Sequence, residues 1–253
     1  MVMERIQAML TACDTELPPF PRTDLYNEGW LLRLVLDWCS RHNVPDHPLR
    51  FSTGARWYCE ALLPSAFLAR HKGDSLAEGW THADGVMGHF EIGNVGKGDL
   101  SVLPDARQLV VLEAKMFSPL SPDVTHASYY DQAARTVACI AEVVQLADRH
   151  PSHLSALGFY VLAPARQIKD GVFAEQVDKA SIEAKVQLRV KEWVAEHGDD
   201  KDQWHTDWFQ PTLEQIDIGV ASWEALISTI GEHDAQSADS IGGFYDKCVV
   251  YNS

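Results

Sequence analysis

Basic residues are scarce in this chain, and long apolar runs and paired cysteine motifs are missing altogether. Only 21 Lys and Arg stand against 36 Asp and Glu, for a formal net charge of −15. A protein that coats nucleic acid without specificity neutralises phosphates with Lys and Arg, so that class is excluded. A site that recruits metal ions for its positive charge is not. No apolar stretch approaches the roughly 18 residues of a membrane-spanning helix. The opening Met-Val-Met-Glu-Arg-Ile-Gln lacks the basic, apolar, small-residue order of a signal peptide. A cytoplasmic protein with no membrane partner is the expectation. Cys13, Cys39, Cys59, Cys139 and Cys248 are odd in number, scattered and without Cys-x-x-Cys. They read as buried free thiols in a reducing compartment. No His or Cys pair has the spacing of a zinc site. Gly-x-x-x-x-Gly-Lys-Ser/Thr and Gly-x-Ser-x-Gly are absent, as are internal repeats and low-complexity tracts. Gly93-Asn94-Val95-Gly96-Lys97-Gly98 is glycine-rich but precedes a strand, so it lacks the helix N-terminus of a phosphate cradle.

What is present is enough apolar residue, 46% of 253 with 8 Trp, for one substantial domain or a domain with an added lobe. The stretch from Lys97 to Met116 organises the rest. Two apolar, β-branched runs flank Pro104-Asp105-Ala106-Arg107-Gln108, a turn-forming cluster, which predicts a β-hairpin centred near Ala106. Asp99 and Glu113 are equidistant from that centre, so an antiparallel pairing sets them opposite each other on one face. Strand alternation adds Lys115 to that face and turns Val110, Leu112, Ala114 and Met116 to the other. Adjacent carboxylates repel, and a divalent cation removes the repulsion. Mg²⁺ is typically held by one or two carboxylates with waters and phosphates. A lysine beside it can orient or deprotonate an attacking water.

Around this centre, Leu25 to about Arg41 reads as an amphipathic helix, with Trp30, Leu31, Leu34, Val35 and Trp38 at helical spacing and Asn27 or Asp24 as the cap. Glu28 in its first turn reads as a helix-dipole partner. A Pro-bounded loop over 42–52 follows, then a helix from about Ala55 to Phe67 carrying Trp57, Cys59 and Glu60. Residues 69–81 are polar and loop-like, with Arg70, His71 and Lys72 as a solvated cluster. His82 and Asp84 read as loop caps beside the cleft, before a first strand over Gly85–Ile92. The loop after Lys115 contains Pro119, Pro122 and His126. A helix spans about 128–149, with Gln132 and Arg135 in its first turns, and Leu157–Leu162 is a short apolar strand of the doubly buried kind. Beyond it lie a long helix over 174–196, an aromatic group of Trp204, Trp208 and Phe209, a helix over 223–230 and a final apolar run.

Asp99, followed after thirteen residues by Glu113-Ala114-Lys115 in this order of elements, resembles the PD-(D/E)xK nuclease superfamily. The literal Pro104-Asp105 pair sits in the turn, remote from Glu113, and does not carry the likeness. The resemblance implies an α/β fold of restriction-endonuclease-like type: an α-β-β-β-α-β core with a mixed central sheet flanked by helices, plus N-terminal and C-terminal helical additions. Residues 1–53 would form a helical arm, 54–163 the nuclease-like core and 164–253 a helical extension packed on it. It further implies hydrolysis of phosphodiester bonds, in DNA before RNA, with Mg²⁺ or Mn²⁺ bound by Asp99, Glu113, the Ala114 carbonyl and Glu60. Glu60 stays open between that role and an ion pair with Arg56. Lys115 would activate the water. Gln132 would stand near the metal, although Thr136 replaces the Tyr of the Gln-x-x-x-Tyr pattern. The implied partner is nucleic acid, with a homodimer or a partner protein left open. The alternative is a catalytically silent copy of the fold that serves as a protein-interaction or nucleic-acid-binding module, which the acidic net charge favours.

Overall fold

A computed structural model describes residues 1–42, 44, 47–94, 96–122 and 127–253. The strands are β1 (Arg56–Leu63), β2 (Thr81–Gly88), β3 (Phe90–Ile92), β4 (Leu100–Val102), β5 (Gln108–Ala114), β6 (Ala156–Ala163) and β7 (Asp217–Ser222). The helices are α1 (Val2–Ala12), α2 (Glu28–Arg41), α3 (Gln132–Leu146), α4 (Ala165–Lys169), α5 (Lys179–His197), α6 (Lys201–Trp204), α7 (Gln210–Gln215), α8 (Trp223–His233) and α9 (Ala235–Asn252). Five strands form one mixed sheet in the order β1-β2-β5-β6-β7. β1, β2 and β5 are antiparallel, while β6 and β7 run parallel to β5. β3 and β4 make a separate two-stranded ribbon.

The sheet is covered on both faces, which is why β5 is buried at every position. On one side, α3 and α5 enclose a core with Phe67, Phe159, Trp193 and Phe209. On the other, α2, α8 and α9 enclose Leu32, Leu36, Trp38 and Trp223. The alternation read from the sequence holds along β5: Val110, Leu112, Ala114 and Met116 all belong to the α2-side core. α2 is capped by Asn27, whose side chain accepts from the Trp30 N–H. Its buried stripe is Leu31, Leu32, Val35, Leu36, Trp38 and Cys39, while Trp30 and Leu34 stay largely exposed. All five cysteines are unpaired and four are buried. Among the described residues no helix is long and apolar enough to cross a membrane.

Three expectations fail, each for a physical reason. Within residues 55–67 the chain forms strand β1 over Arg56–Leu63 rather than a helix; Arg-Trp-Tyr-Cys is rich in strand formers, and pairing with β2 overrides the apparent 3.6 period. The hairpin joining Asp99 to Glu113 is not formed. At Gly88 the backbone takes a positive φ, the His89 N–H bonds to the Gln108 carbonyl, and the chain leaves the sheet as β3, which claims β4 as its partner. β5 then returns beside β2. The Leu103–Ala106 turn exists, but it joins two strands that do not pair with each other. Finally, the segment after 164 is not only helical, because it adds β7 to the sheet edge. The expected loops over 42–52 and after Lys115 are described in part; Asn43, Pro45, Asp46 and His126 lie outside the described residues, as does Val95.

This departure from the sheet makes Gly88 a structural requirement. Its φ is +143°, and a Cβ there would lie 2.1 Å from the Gln108 carbonyl oxygen. Gly88→Ala is therefore expected to destabilise the chain by on the order of 3 kcal/mol, read as a fall in the urea midpoint. Gly85→Ala meets only the Leu32 and Leu36 methyl tips at 2.9 and 3.2 Å, so a loss of about 1 kcal/mol is expected. Equal midpoints for the two variants would count against this requirement at Gly88.

Candidate active site

The floor of the site is Glu113, with a side chain only 1% exposed. It is the penultimate residue of β5, and its side chain turns toward α3. Gln132, the first residue of α3, donates from Nε2 to Glu113 Oε2 at 2.8 Å. Gln132 is itself fixed, because its Oε1 accepts from the Ser121 N–H at 3.1 Å and its own N–H donates to the Ser121 carbonyl. Lys115 stands on the same face, its Nζ 3.5 Å from Glu113 Oε2. The lysine backbone is clamped on both sides: its N–H donates to the Leu162 carbonyl of β6, and its carbonyl accepts from the buried Trp223 indole at 2.9 Å. The C-terminal segment thus sets where the amine can reach.

The second carboxylate comes from β2. Gly85 pairs with Leu112, so Asp84 occupies the next position along, beside Glu113. Asp84 Oδ2 accepts from the Ala114 N–H at 2.8 Å, which ties it across the strands. Burial, and then the negative charge of Asp84, push the Glu113 carboxyl up to about 8 against the opposing pull of Lys115. Glu113 Oε1 is buried and has no hydrogen-bond partner among the described residues. Asp84, Lys115 and Gln132 are half-buried, so the recess reaches solvent past all three.

Of the expected site residues, the structure brings together Glu113, Ala114, Lys115 and Gln132. It places Asp99 elsewhere. That residue is buried at the start of β4, bridged to Leu62 of the edge strand β1, and its Oδ1 accepts from the Gly96 N–H at 2.6 Å. β2 and β1 lie successively outward from the central strand β5, so Asp99 sits beside the sheet edge, separated from Glu113 by both strands. Glu60 is on β1, not on a helix, and lies opposite Asp84 between the Cys59–Gly85 and Ala61–Ala83 pairs. Its side chain is 54% exposed and faces Arg33 at 3.6 Å and His82 at 4.0 Å, rather than Arg56. Arg135 serves the structure: it bonds to the Gly79 carbonyl and lies 3.5 Å from buried Glu78.

Asp84 is the residue whose role sequence reasoning missed, reading it as a loop cap beside the cleft. Asp and Gly are poor strand formers, so the strand was expected to begin after Asp84. The available signal was an acidic residue one glycine before the apolar Val86-Met87 pair, three strands before Glu113 in the chain. Comparison with family models, with curated proteins and with solved structures gives no match.

The raised Glu113 pKa has a consequence for stability. A group that binds its proton more tightly when folded than unfolded stabilises the fold fully below its unfolded value of 4.5, and that contribution is lost as pH rises through about 8. In the presence of a chelator, the melting temperature is expected to fall between pH 5 and pH 8 more steeply for wild type than for Glu113→Gln. Parallel profiles for the two proteins would refute this assignment.

Proposed function

We propose that the chain is a metal-dependent nuclease built on the restriction-endonuclease-like core, with Asp84, and not Asp99, as the partner carboxylate of Glu113-Ala114-Lys115. The observation that carries the reading is Glu113 itself: a buried carboxylate beside a second one, with one oxygen that has no hydrogen-bond partner among the described residues. An anion so placed is costly unless something positive shares the site. Asp84, Glu113 and the Ala114 carbonyl are the residues that would hold a divalent cation. Mg²⁺ or Mn²⁺ bound there would supply Lewis-acid polarisation of a phosphodiester and charge neutralisation at its leaving oxygen. The order α2-β1-β2-β5-α3-β6, with β6 parallel to β5, also fits the α-β-β-β-α-β arrangement once α2 is taken as the first helix.

The chain's own residues have distinct tasks in this reading. Lys115 orients the attacking water and holds or accepts its proton. Gln132 fixes the Glu113 carboxylate through Oε2, leaving Oε1 for the cation. Asp84 is aimed by the Ala114 N–H. DNA is the expected substrate, and the cation supplies the positive charge that a chain of net −15 lacks.

The test is cleavage of plasmid and single-stranded DNA, and of RNA, by the purified chain with Mg²⁺ or Mn²⁺. Asp84→Asn, Glu113→Gln and Lys115→Ala are each expected to lower the rate by about 100-fold or more while remaining folded. Glu60→Gln is expected to stay within about threefold of wild type, since an exposed ion pair contributes little. Absence of cleavage on every substrate, together with no Mn²⁺ binding by calorimetry, would overturn the proposal.

A further inference from the structure

A second group of potential ligands lies away from this recess, on the loop between β1 and β2. That loop is anchored by buried Glu78, which accepts from the Ser65 hydroxyl at 2.7 Å and pairs with Arg189 of α5 at 3.1 Å. Farther out, residues 71–74 make a turn, with the Asp74 N–H bonding to the His71 carbonyl and Gly73 at φ +82°. The Asp74 carboxylate is only 1% exposed. Its two oxygens accept from the Arg70 and Leu76 N–H groups, both at 3.0 Å, so it cannot swing away.

Facing it is His197, the last residue of α5. Its side chain is 8% exposed, and its ring packs on Trp193 with centroids 4.2 Å apart. His197 Nε2 lies 3.4 Å from Asp74 Oδ1, yet it is buried and makes no hydrogen bond among the described residues. His71 completes the group from the solvent side. Its Nδ1 is 3.4 Å from the Lys72 carbonyl, which leaves Nε2 as the available nitrogen. One ligand atom from each of the three residues lies within 4.8 Å of the others. In a tetrahedral site with metal–nitrogen bonds of about 2.05 Å, ligand atoms stand about 3.3 Å apart, close to the His197–Asp74 separation.

We propose that His71, Asp74 and His197 bind one transition-metal ion of the Zn²⁺ class, with a fourth position open to solvent beside His71. Two imidazoles and one carboxylate favour Zn²⁺, Co²⁺ or Ni²⁺ over Mg²⁺, which prefers oxygen ligands and retained waters. The ion neutralises the buried Asp74 and takes up the lone pair of the orphaned His197 nitrogen. It clasps the β1–β2 loop to the end of α5. The ligands come from segments more than 100 residues apart in sequence, which is why no zinc spacing is visible in the chain.

The experiment is a Co²⁺ titration of the full chain after removal of metal with EDTA, read by the visible absorption of low-coordinate Co²⁺. One equivalent is expected to bind with intense bands, to be displaced by Zn²⁺, and to raise the melting temperature. Glu113→Gln is expected to keep this site, which separates it from the recess described above. His71→Ala, at an exposed position that leaves the fold intact, is expected to weaken Co²⁺ binding by about tenfold or more, as is His197→Gln. The proposal is overturned if Co²⁺ does not bind saturably, if His71→Ala binds as well as wild type, or if the bands vanish in Glu113→Gln and persist in His71→Ala.

Discussion

The burial of one carboxylate governs how this molecule is arranged. Glu113 sits near the end of a strand covered on both faces, where an ionised oxygen has no water to turn to. A buried anion is tolerated only with donors or opposite charge close by. The chain meets that need from three separate elements. α3 begins at the residue whose amide reaches Glu113, the strand ends where Lys115 can turn back toward it, and β2 presents Asp84 rather than an apolar side chain. The last choice opposes the others. Lys115 favours the charged form, while the surrounding protein and Asp84 disfavour it. Gln132 donates to one oxygen, the other has no hydrogen-bond partner among the described residues, and a fold under selection for stability alone would have no reason to keep it.

The parts of the chain farthest in sequence from the recess are as much a part of it as β5. Trp223 opens α8, is fully buried, and holds the Lys115 carbonyl. β7 extends the sheet beyond β6, which in turn bonds to the Lys115 N–H. The core on the α2 side joins residues from Cys13 to Cys248. A reading that treats the ends as appendages therefore misplaces what fixes the lysine, because its backbone is locked by segments that reach the sheet only through tertiary packing.

What was legible in the sequence was local. The alternation along Val110-Leu112-Ala114-Met116 predicted which face of β5 carries Glu113 and Lys115, and the Asn27 cap and the buried run of β6 followed from residue chemistry that needs no partner. Pairing was not legible. Pro104-Asp105 makes a real turn, but whether the strands beside it pair depends on Gly88, where close approach to Gln108 diverts the chain into β3. Asp99 and Asp84 are both acidic residues near a strand start, and only register tells them apart. The β1 segment shows the same limit, since Trp57, Leu63 and Phe67 fit a helical stripe as well as a strand until the neighbouring strand is known.

The departures from regular sheet geometry concentrate beside the recess. Glu60 has φ +60°, a left-handed value that a non-glycine residue adopts at a cost. Along β1 this single residue inverts the faces: Trp57 and Cys59 pack toward α2, whereas Ala61 and Leu63 belong to the α3-side core. Opposite it, β2 inverts too, with Ala83 in the α3-side core and Gly85 against Leu32 and Leu36 of α2. Asp84 is the residue at that crossover. Regular alternation would send a residue flanked in this way into one of the two apolar cores, where an unpaired carboxylate is expensive. The paired inversion instead leaves Asp84 half-buried, beside Glu113 and within reach of the Ala114 N–H. The strain at Glu60 and the placement of Asp84 are thus two sides of one distortion, and the sheet is irregular at the point where two carboxylates must share a site.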